Sequence, residues 1–484
     1  MTFAERIGNE GTEERYNFFK GRIYPALVAI AVFIGYAFEL EFYSNIVILA
    51  SAIVAMLTTD SLKPIILPLL TYLYQVPLAH APGHPTFSDF YSAPGRLAVI
   101  VIMFLLVAAA LIFSSVKNRF FTPYGVLHAP FLVPSVILSL AFLLNGVLGG
   151  EHTLSGLGYG ALQIVTFFVI FYFFYFGLAN ERGDELVGYL VYCAALIALL
   201  LFAETAFVYA TCDVISEHSG SIIKENINYG WGVSNTAGQC LTVLLPLLLL
   251  GAKRSRYFSC GYFAVAAIDV ICVVLTLSRS SILLTAIALV ASLIILSCFG
   301  ERKATFIAVS VVTVIIFIVL AGLYGDKLVE LFRLLIDRGF SDNNRFDLWR
   351  EAFREFTEAP IFGKGFFSLD IESNATAEFF PSMAHNTVLQ ILGSMGLFGL
   401  AAYLFYRVST AVTFFRYPTL DKTMIGVALL TVLGQSLLDN FIFYFHPMYL
   451  FSIALAIVTR VTEDTKHRAF GDSGAFVLQR RKLK

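Results

Sequence analysis

Fourteen times along this chain an apolar run of roughly bilayer length recurs, at about 23–38, 42–57, 65–79, 97–116, 126–148, 157–179, 186–210, 231–252, 257–278, 280–298, 304–324, 386–406, 424–443 and 447–459. A hydrocarbon core takes roughly 20 residues of helix to cross, and it tolerates only backbones that satisfy their own N–H and C=O groups. The runs lack the alternation of barrel strands. They therefore predict an all-α polytopic membrane protein of about 14 (12–14) transmembrane helices. The first three runs are the weakest, being short and interrupted by Glu39, Glu41, Asp60 and Pro64.

Composition supports that class and removes others. Hydrophobic residues make up 58% of the chain and charged residues only 14%, too apolar a balance for a soluble globule. A formal net charge of −1 leaves no footprint for nucleic acid. Of the six cysteines, Cys193, Cys240, Cys260, Cys272 and Cys298 fall inside apolar runs and Cys212 falls in a connection, which is neither a disulfide framework nor a metal pattern. Residues 1–22 are charged with both signs and precede an ordinary span, so no removable signal peptide is expected.

Lys and Arg set the orientation. With a cytoplasmic N-terminus, alternate connections carry Lys63, Lys117, Arg119, Arg182, Lys253, Arg254, Arg256, Arg302, Lys303, Arg407, Arg416 and Lys422, and all but ten of the 33 basic residues lie on that side. The organisation read from this is a cytoplasmic N-terminus 1–22, N-terminal spans 23–230, a region 231–460 holding an outer loop 325–385, and a basic cytoplasmic tail 461–484. That tail reads as a solvated, topogenic end. No internal repeat is visible, which disfavours transporters built from two similar halves.

The outer loop between the eleventh and twelfth spans is the one long polar connection, and long loops usually carry binding or chemistry. Inside it, Phe346, Trp349, Phe353 and Phe356 recur at helical spacing, predicting an amphipathic helix with one aromatic face. Arg345 stands near its start, where an anion would also meet free backbone N–H groups. Gly363 and Gly365 permit a close turn back toward the bilayer.

Three span openings add polar residues at the same face. Ser278-Arg279 marks a tight reversal, read either as an arginine snorkelling to lipid phosphate or as a guanidinium held for a substrate phosphate. His385-Asn386 opens the twelfth span; the positive end of the helix dipole favours a neutral imidazole there, able to accept a proton, although a plain interfacial cap is an equal reading. Gly393, Gly396 and Gly399 would let neighbouring helices approach. His446 is the nearest rival histidine. Trp231-Gly-Val-Ser234-Asn235 opens the eighth span, with Ser234 or Asn235 as N-cap or with small residues leaving a groove mouth open.

Together these stretches resemble the O-antigen ligase and O-antigen polymerase superfamily of bacterial membrane glycosyltransferases, from about residue 231 to 446. The likeness rests on their order: an Asn235-containing span start, Ser278-Arg279, a large loop with Arg345, Trp349 and Pro360-Ile-Phe-Gly363-Lys-Gly365, then His385-Asn386 with Leu389-Gln390 and Gly396-Leu-Phe-Gly399. The resemblance implies transfer or polymerisation of glycan from an undecaprenyl-pyrophosphate carrier to an acceptor hydroxyl on a glycan or glycolipid, at the outer face of the bacterial inner membrane and without metal or other cofactor. It assigns Arg279 and Arg345 to the pyrophosphate and His385 to the catalytic base, with Asn235, Ser278, Trp349, Gly363, Gly365, Asn386 and Gln390 in support. Polymerase, ligase and protein O-oligosaccharyltransferase remain alternatives within it. A flippase of lipid-linked oligosaccharides, which predicts cationic residues lining a cavity at membrane depth, and an envelope-synthesis scaffold remain alternatives outside it.

Overall fold

A computed structural model describes residues 18–72, 94–149, 152–214, 224–229, 232–315, 318–319, 322, 345–368 and 383–469. Its main helices are α1 (Ile23–Ala37), α2 (Glu41–Thr58), α3 (Ile66–Tyr72), α4 (Pro94–Lys117), α5 (Leu132–Leu143), α6 (Leu154–Gly177), α7 (Gly183–Thr211), α8 (Ser234–Arg254), α9 (Ser259–Leu275), α10 (Arg279–Phe299), α11 (Lys303–Ile315), α12 (Arg345–Glu358), α13 (Thr387–Phe415), α14 (Leu420–Leu438) and α15 (Phe445–Ala469). Eight of them are long and apolar enough to cross a membrane, and α1, α5, α9 and α11 are shorter apolar helices. The chain is an all-α polytopic integral membrane protein. A small antiparallel pairing of β1 (Asn228–Tyr229) with β2 (Gly232–Val233) leads into α8.

An apolar helix can be buried by protein or by lipid, and its polar residues decide which. Helix α8 carries Gln239, Thr242 and Cys240 and is buried without interruption from Ala237 to Ala252, so it forms the centre of the bundle. Helix α15 is likewise buried, throughout 451–460. By contrast, α10 turns Leu283, Ile287, Val290 and Ile294 outward, and α4 turns Val101, Ile102, Leu105 and Ile112 outward. Those faces are dressed for hydrocarbon.

Several boundaries differ from the sequence reading. The third run is helical as described only over Ile66–Tyr72, and residues 73–93 lie outside the described part. The fifth run is broken into Pro123–Leu127 and α5, because Pro130 resets the backbone and Phe131 adopts φ 62°. Helix α13 continues to Phe415 rather than ending near 406, which draws Arg407 out of a connection and into the helix. Its guanidinium lies 4.6 Å from the Phe451 ring centroid and 4.8 Å from that of Tyr403. Helix α15 runs on to Ala469, taking the first residues of the expected tail with it.

At the end of the bundle where α8 finishes and α14 begins, Arg254 is paired with Asp421 and, at 2.7 Å, with Asp184, while Lys253 reaches Asp421 at 3.2 Å. Lys20 meets Asp60 at 2.6 Å nearby in sequence terms to Lys63, which meets Glu181 at 3.7 Å. Several of the residues read as topogenic thus also tie connections together.

The feature that most shapes the opposite end is a break inside α13. Gly396 sits at φ 64°, ψ −160°, which interrupts the helix and frees backbone groups. The segment after α12 fills the gap. Lys364 N donates to Gly393 O at 2.8 Å and Gly365 N to Ser394 O at 3.1 Å, while Leu397 N and Phe398 N donate to Pro360 O and Ile361 O at 2.9 and 3.1 Å. Irregular backbone survives at membrane depth only when protein satisfies it in this way. Gly396 is therefore a break, where the sequence suggested a small residue for helix packing; Gly393 does lie against Ala352 and Glu355 of α12. Beyond the break Phe366 is buried among Phe142, Tyr159 and Phe443, and its N–H reaches Asn145 Oδ1 at 3.3 Å.

Candidate active site

The candidate residues gather on the last turn of α14 and the two residues after it. Asn386 caps α13, its Oδ1 accepting from Val388 N at 3.0 Å and Leu389 N at 3.1 Å, and its Nδ2 donates to Leu437 O at 3.1 Å. Arg345, at the start of α12, donates from Nη1 to Leu438 O at 2.9 Å. His385 bonds Asp439 through Nδ1 at 2.8 Å from Oδ1. Gln390 Oε1 accepts from Asn440 Nδ2 at 2.9 Å and Ala384 N at 2.8 Å, and its Nε2 donates to Ser394 Oγ at 3.0 Å. Four consecutive positions, 437 to 440, thus fix Asn386, Arg345, His385 and Gln390. Helix C-termini end in orphan carbonyls, which is why cationic and amide donors settle there.

Asp439 was not singled out in the sequence. A lone aspartate at the end of an apolar run carries no signal, because its partner is 54 residues away. Burial alone pushes its carboxyl up, but the bond to His385 and its charge, the Asn440 N–H and Gln239 together hold it below its ordinary value. An ionised carboxylate only accepts, so the proton between them sits on His385 Nδ1. The Asp439 side chain is 12% exposed and that of His385 30%, so the imidazole is the reachable member of the pair. His385 stands at the opening of α13, as the sequence reads. It precedes the Asn386 cap, at φ 49°. Its electrostatics are set by a carboxylate as well as by a helix end.

The Ser278-Arg279 reversal is present as read. Helix α9 ends at Leu275, Leu277 takes φ 53°, and Arg279 opens α10 with an exposed side chain. Ser278 Oγ lies 2.9 Å from Ser281 Oγ, which accepts from Gln435 Nε2 of α14 at 3.5 Å. That chain of contacts joins the reversal to the helix carrying Asp439. No direct contact between Arg279 and His385 is seen among the described residues.

The remaining residues divide. Asn235 is not the cap of α8, and neither is Ser234: Val233 holds that position, and Asn235 Oδ1 accepts from Lys224 Nζ at 2.8 Å. Lys224 Nζ also reaches Leu277 O at 3.2 Å. Gly238 packs its backbone against Thr276 and Ser281, so the expected groove mouth is closed there. Trp231 lies outside the described residues. Trp349 stacks edge-on to Phe346 at 5.3 Å, but the aromatic stripe is not the packing face of α12. Leu348, Ala352 and Glu355 are buried instead, with Ala352 and Glu355 against Gly393 of α13, and Phe346 and Phe353 remain exposed. Gly363 and Gly365, at φ 67° and 113°, make the close turn into the α13 break. Among the rival histidines, His152 Nδ1 is 2.7 Å from Asn145 O, a structural bond; the His446 side chain and residues His80, His84 and His218 lie outside the described part.

Residues 263–404 match the family model described as O-antigen ligase, an interval that contains Arg279, Arg345, His385 and Gln390 and stops short of Asp439. That stretch of the chain is similar to the O-antigen ligase family. No curated protein matches the chain. Members of this superfamily process glycans in the membrane, and the family implies lipid-linked glycan substrates. Positions 437–440 lie beyond the matched interval, whereas Arg345, His385, Asn386 and Gln390, which bond to them, lie within it.

Proposed function

We propose that this O-antigen ligase family protein transfers or polymerises glycan units from an undecaprenyl-pyrophosphate carrier onto an acceptor sugar hydroxyl, at the outer face of the bacterial cytoplasmic membrane. Residues 231–460 form the catalytic region in this reading, residues 23–230 support it, and 1–22 and 461–484 face the cytoplasm. The observation that carries it is the His385–Asp439 pair with Arg345 held one residue away on Leu438 O. A sugar hydroxyl is a weak nucleophile until a base takes its proton, and a departing diphosphate needs positive charge where its own charge grows.

In this scheme His385 Nε2 takes the acceptor hydroxyl proton while Asp439 stabilises the imidazolium formed. The acceptor oxygen attacks the anomeric carbon, and the bond from that carbon to the diphosphate oxygen breaks with its electron pair leaving on the carrier. Arg345 and Arg279 receive that charge through guanidinium forks suited to phosphate oxygens. Asn386 and Gln390 hold the base in place, and Gly363 and Gly365 hold the helix that bears it. The guanidiniums supply the charge compensation, so chelators are expected to leave turnover unchanged.

The test is reconstitution in nanodiscs with undecaprenyl-pyrophosphate-linked units, following products by gel and mass spectrometry for wild type and His385→Ala. Longer lipid-linked chains from wild type alone establish polymerisation with His385 in the chemistry. Transfer only after a glycolipid, glycan or protein acceptor is added identifies a ligase and its acceptor. Inert units together with translocation across vesicles would hand the chain to the flippase reading.

A further inference from the structure

The carboxylate that backs His385 is itself held from below. Asp439 Oδ1 is shared by His385 Nδ1 and Asn440 N, both at 2.8 Å, and the other oxygen, Oδ2, accepts from Gln239 Nε2 at 3.3 Å. Gln239 is 1% exposed and belongs to the wholly buried stretch of α8. Its neighbour Gly238 lies against Thr276 and Ser281 of the Arg279 reversal. One turn of α8 therefore touches the reversal on one side and the His385 carboxylate on the other.

The amide orientation is fixed by chemistry, since an ionised carboxylate offers no donor and Nε2 must face it. The consequence is that Gln239 Oε1 is buried with no hydrogen-bond partner among the described residues. A buried amide normally satisfies both ends, so a site that keeps the donor and forfeits the acceptor is holding the donor for a purpose. Leucine or methionine would fill the same space without that cost.

We propose that Gln239 is a positioning residue for glycan transfer: it donates to Asp439 Oδ2, fixes the plane of the carboxylate, and so aims Oδ1 at His385 Nδ1. This rests on the assignment of His385 as base. The ionisable and charged groups beside the carboxylate are His385 from the start of α13, Tyr444 between α14 and α15, and Arg345 of α12, which holds the adjacent Leu438 O. Oδ1 is held by His385 Nδ1 and Asn440 N and Oδ2 by Gln239 Nε2, so the tilt of the carboxylate about Oδ1 falls to Gln239.

The experiment compares wild type, Q239M, Q239E and H385A in the nanodisc assay, with kcat and donor KM measured across pH and folding checked by thermal melting. The Q239M protein keeps the shape and lacks the donor; its kcat is expected to fall by about tenfold to a hundredfold, the scale for losing an outer partner of an ordered polar site, at unchanged donor KM. The Q239E protein can donate only when its new carboxyl is protonated, so its activity relative to wild type is expected to rise as pH falls. A packing role would make Q239E and Q239M run parallel to each other at every pH, and that result, or wild-type kcat in both, overturns the proposal. Should Q239M fail to fold, the pH ratio of Q239E decides; failure of both to fold assigns Gln239 to packing and equally overturns it. Full activity in H385A would instead remove the underlying assignment, an outcome read from a different protein.

Discussion

His385 Nδ1 donates to Asp439 Oδ1 over 2.8 Å, joining the residue before the α13 cap to the residue after α14. The bond places a proton on Nδ1, facing the carboxylate. Asp439→Asn removes the negative charge and offers an amide of the same shape. Its transfer rate is expected to drop by about a hundredfold or more, with donor binding retained, in the nanodisc assay. A rate equal to wild type would separate the carboxylate from the chemistry.

The same carboxylate makes stability depend on pH. Its value in the folded protein lies below the ordinary one, so the unfolded chain binds its proton first on acidification. The stabilisation is complete above the ordinary aspartate value of about 4 and is lost as pH falls through the lowered folded value. Thermal melts in detergent at descending pH should show an acid limb that is flattened in Asp439→Asn; an unchanged limb would mean that other carboxyls dominate it.

Arg345 and Arg279 are expected to act on the donor. A hydrogen bond to a charged phosphate contributes about 1.5–3 kcal/mol, so Arg345→Ala and Arg279→Ala should each raise donor KM by about tenfold or more. Arg345→Lys keeps charge but loses the planar fork that spans Leu438 O and a phosphate, and it should recover only part of the loss. Binding of the lipid-linked donor by microscale thermophoresis reads this directly.

The break in α13 makes its own demand. Gly363 and Gly396 sit at φ 67° and 64°, and a Cβ on either would overlap backbone of the facing segment. Gly363→Ala and Gly396→Ala are each expected to cost about 1–2 kcal/mol from the backbone alone, and more from overlap. Gly158 and Gly261 have nothing within 4 Å of an added Cβ, so alanine there should leave the melting temperature level or slightly higher. Equal behaviour of the two pairs would contradict the described break.

Asn386 carries a double duty, capping α13 and reaching Leu437 O. Asn386→Ala should lower stability by about 0.5–2 kcal/mol through the lost cap. It should also slow transfer, because His385 is the adjacent residue. Asn386→Asp restores the acceptor for the cap and not the donor to Leu437, which separates the two contributions.

The sequence by itself determined the membrane class, the apolar helices at most of the predicted runs, the amphipathic α12, the Ser278-Arg279 reversal and the placement of His385 at the opening of α13. Each of these is local: a run of twenty apolar residues, a period of three to four, or a polar residue at a boundary reports its physics within one turn or one span. Tertiary structure alone decided which face of α12 is buried, since the stripe of Phe346, Trp349 and Phe353 is the stronger periodic signal and yet Leu348 and Ala352 are buried. It alone converted Gly396 from a packing residue into a break filled by residues 360–365. It alone brought Gln239, Arg345 and His385 to the end of α14 and gave Asp439 its meaning, for a carboxylate acquires a role from the partners that reach it across space. A bilayer writes its constraint into every residue along a helix, whereas a site built from four helices writes only one or two residues into each.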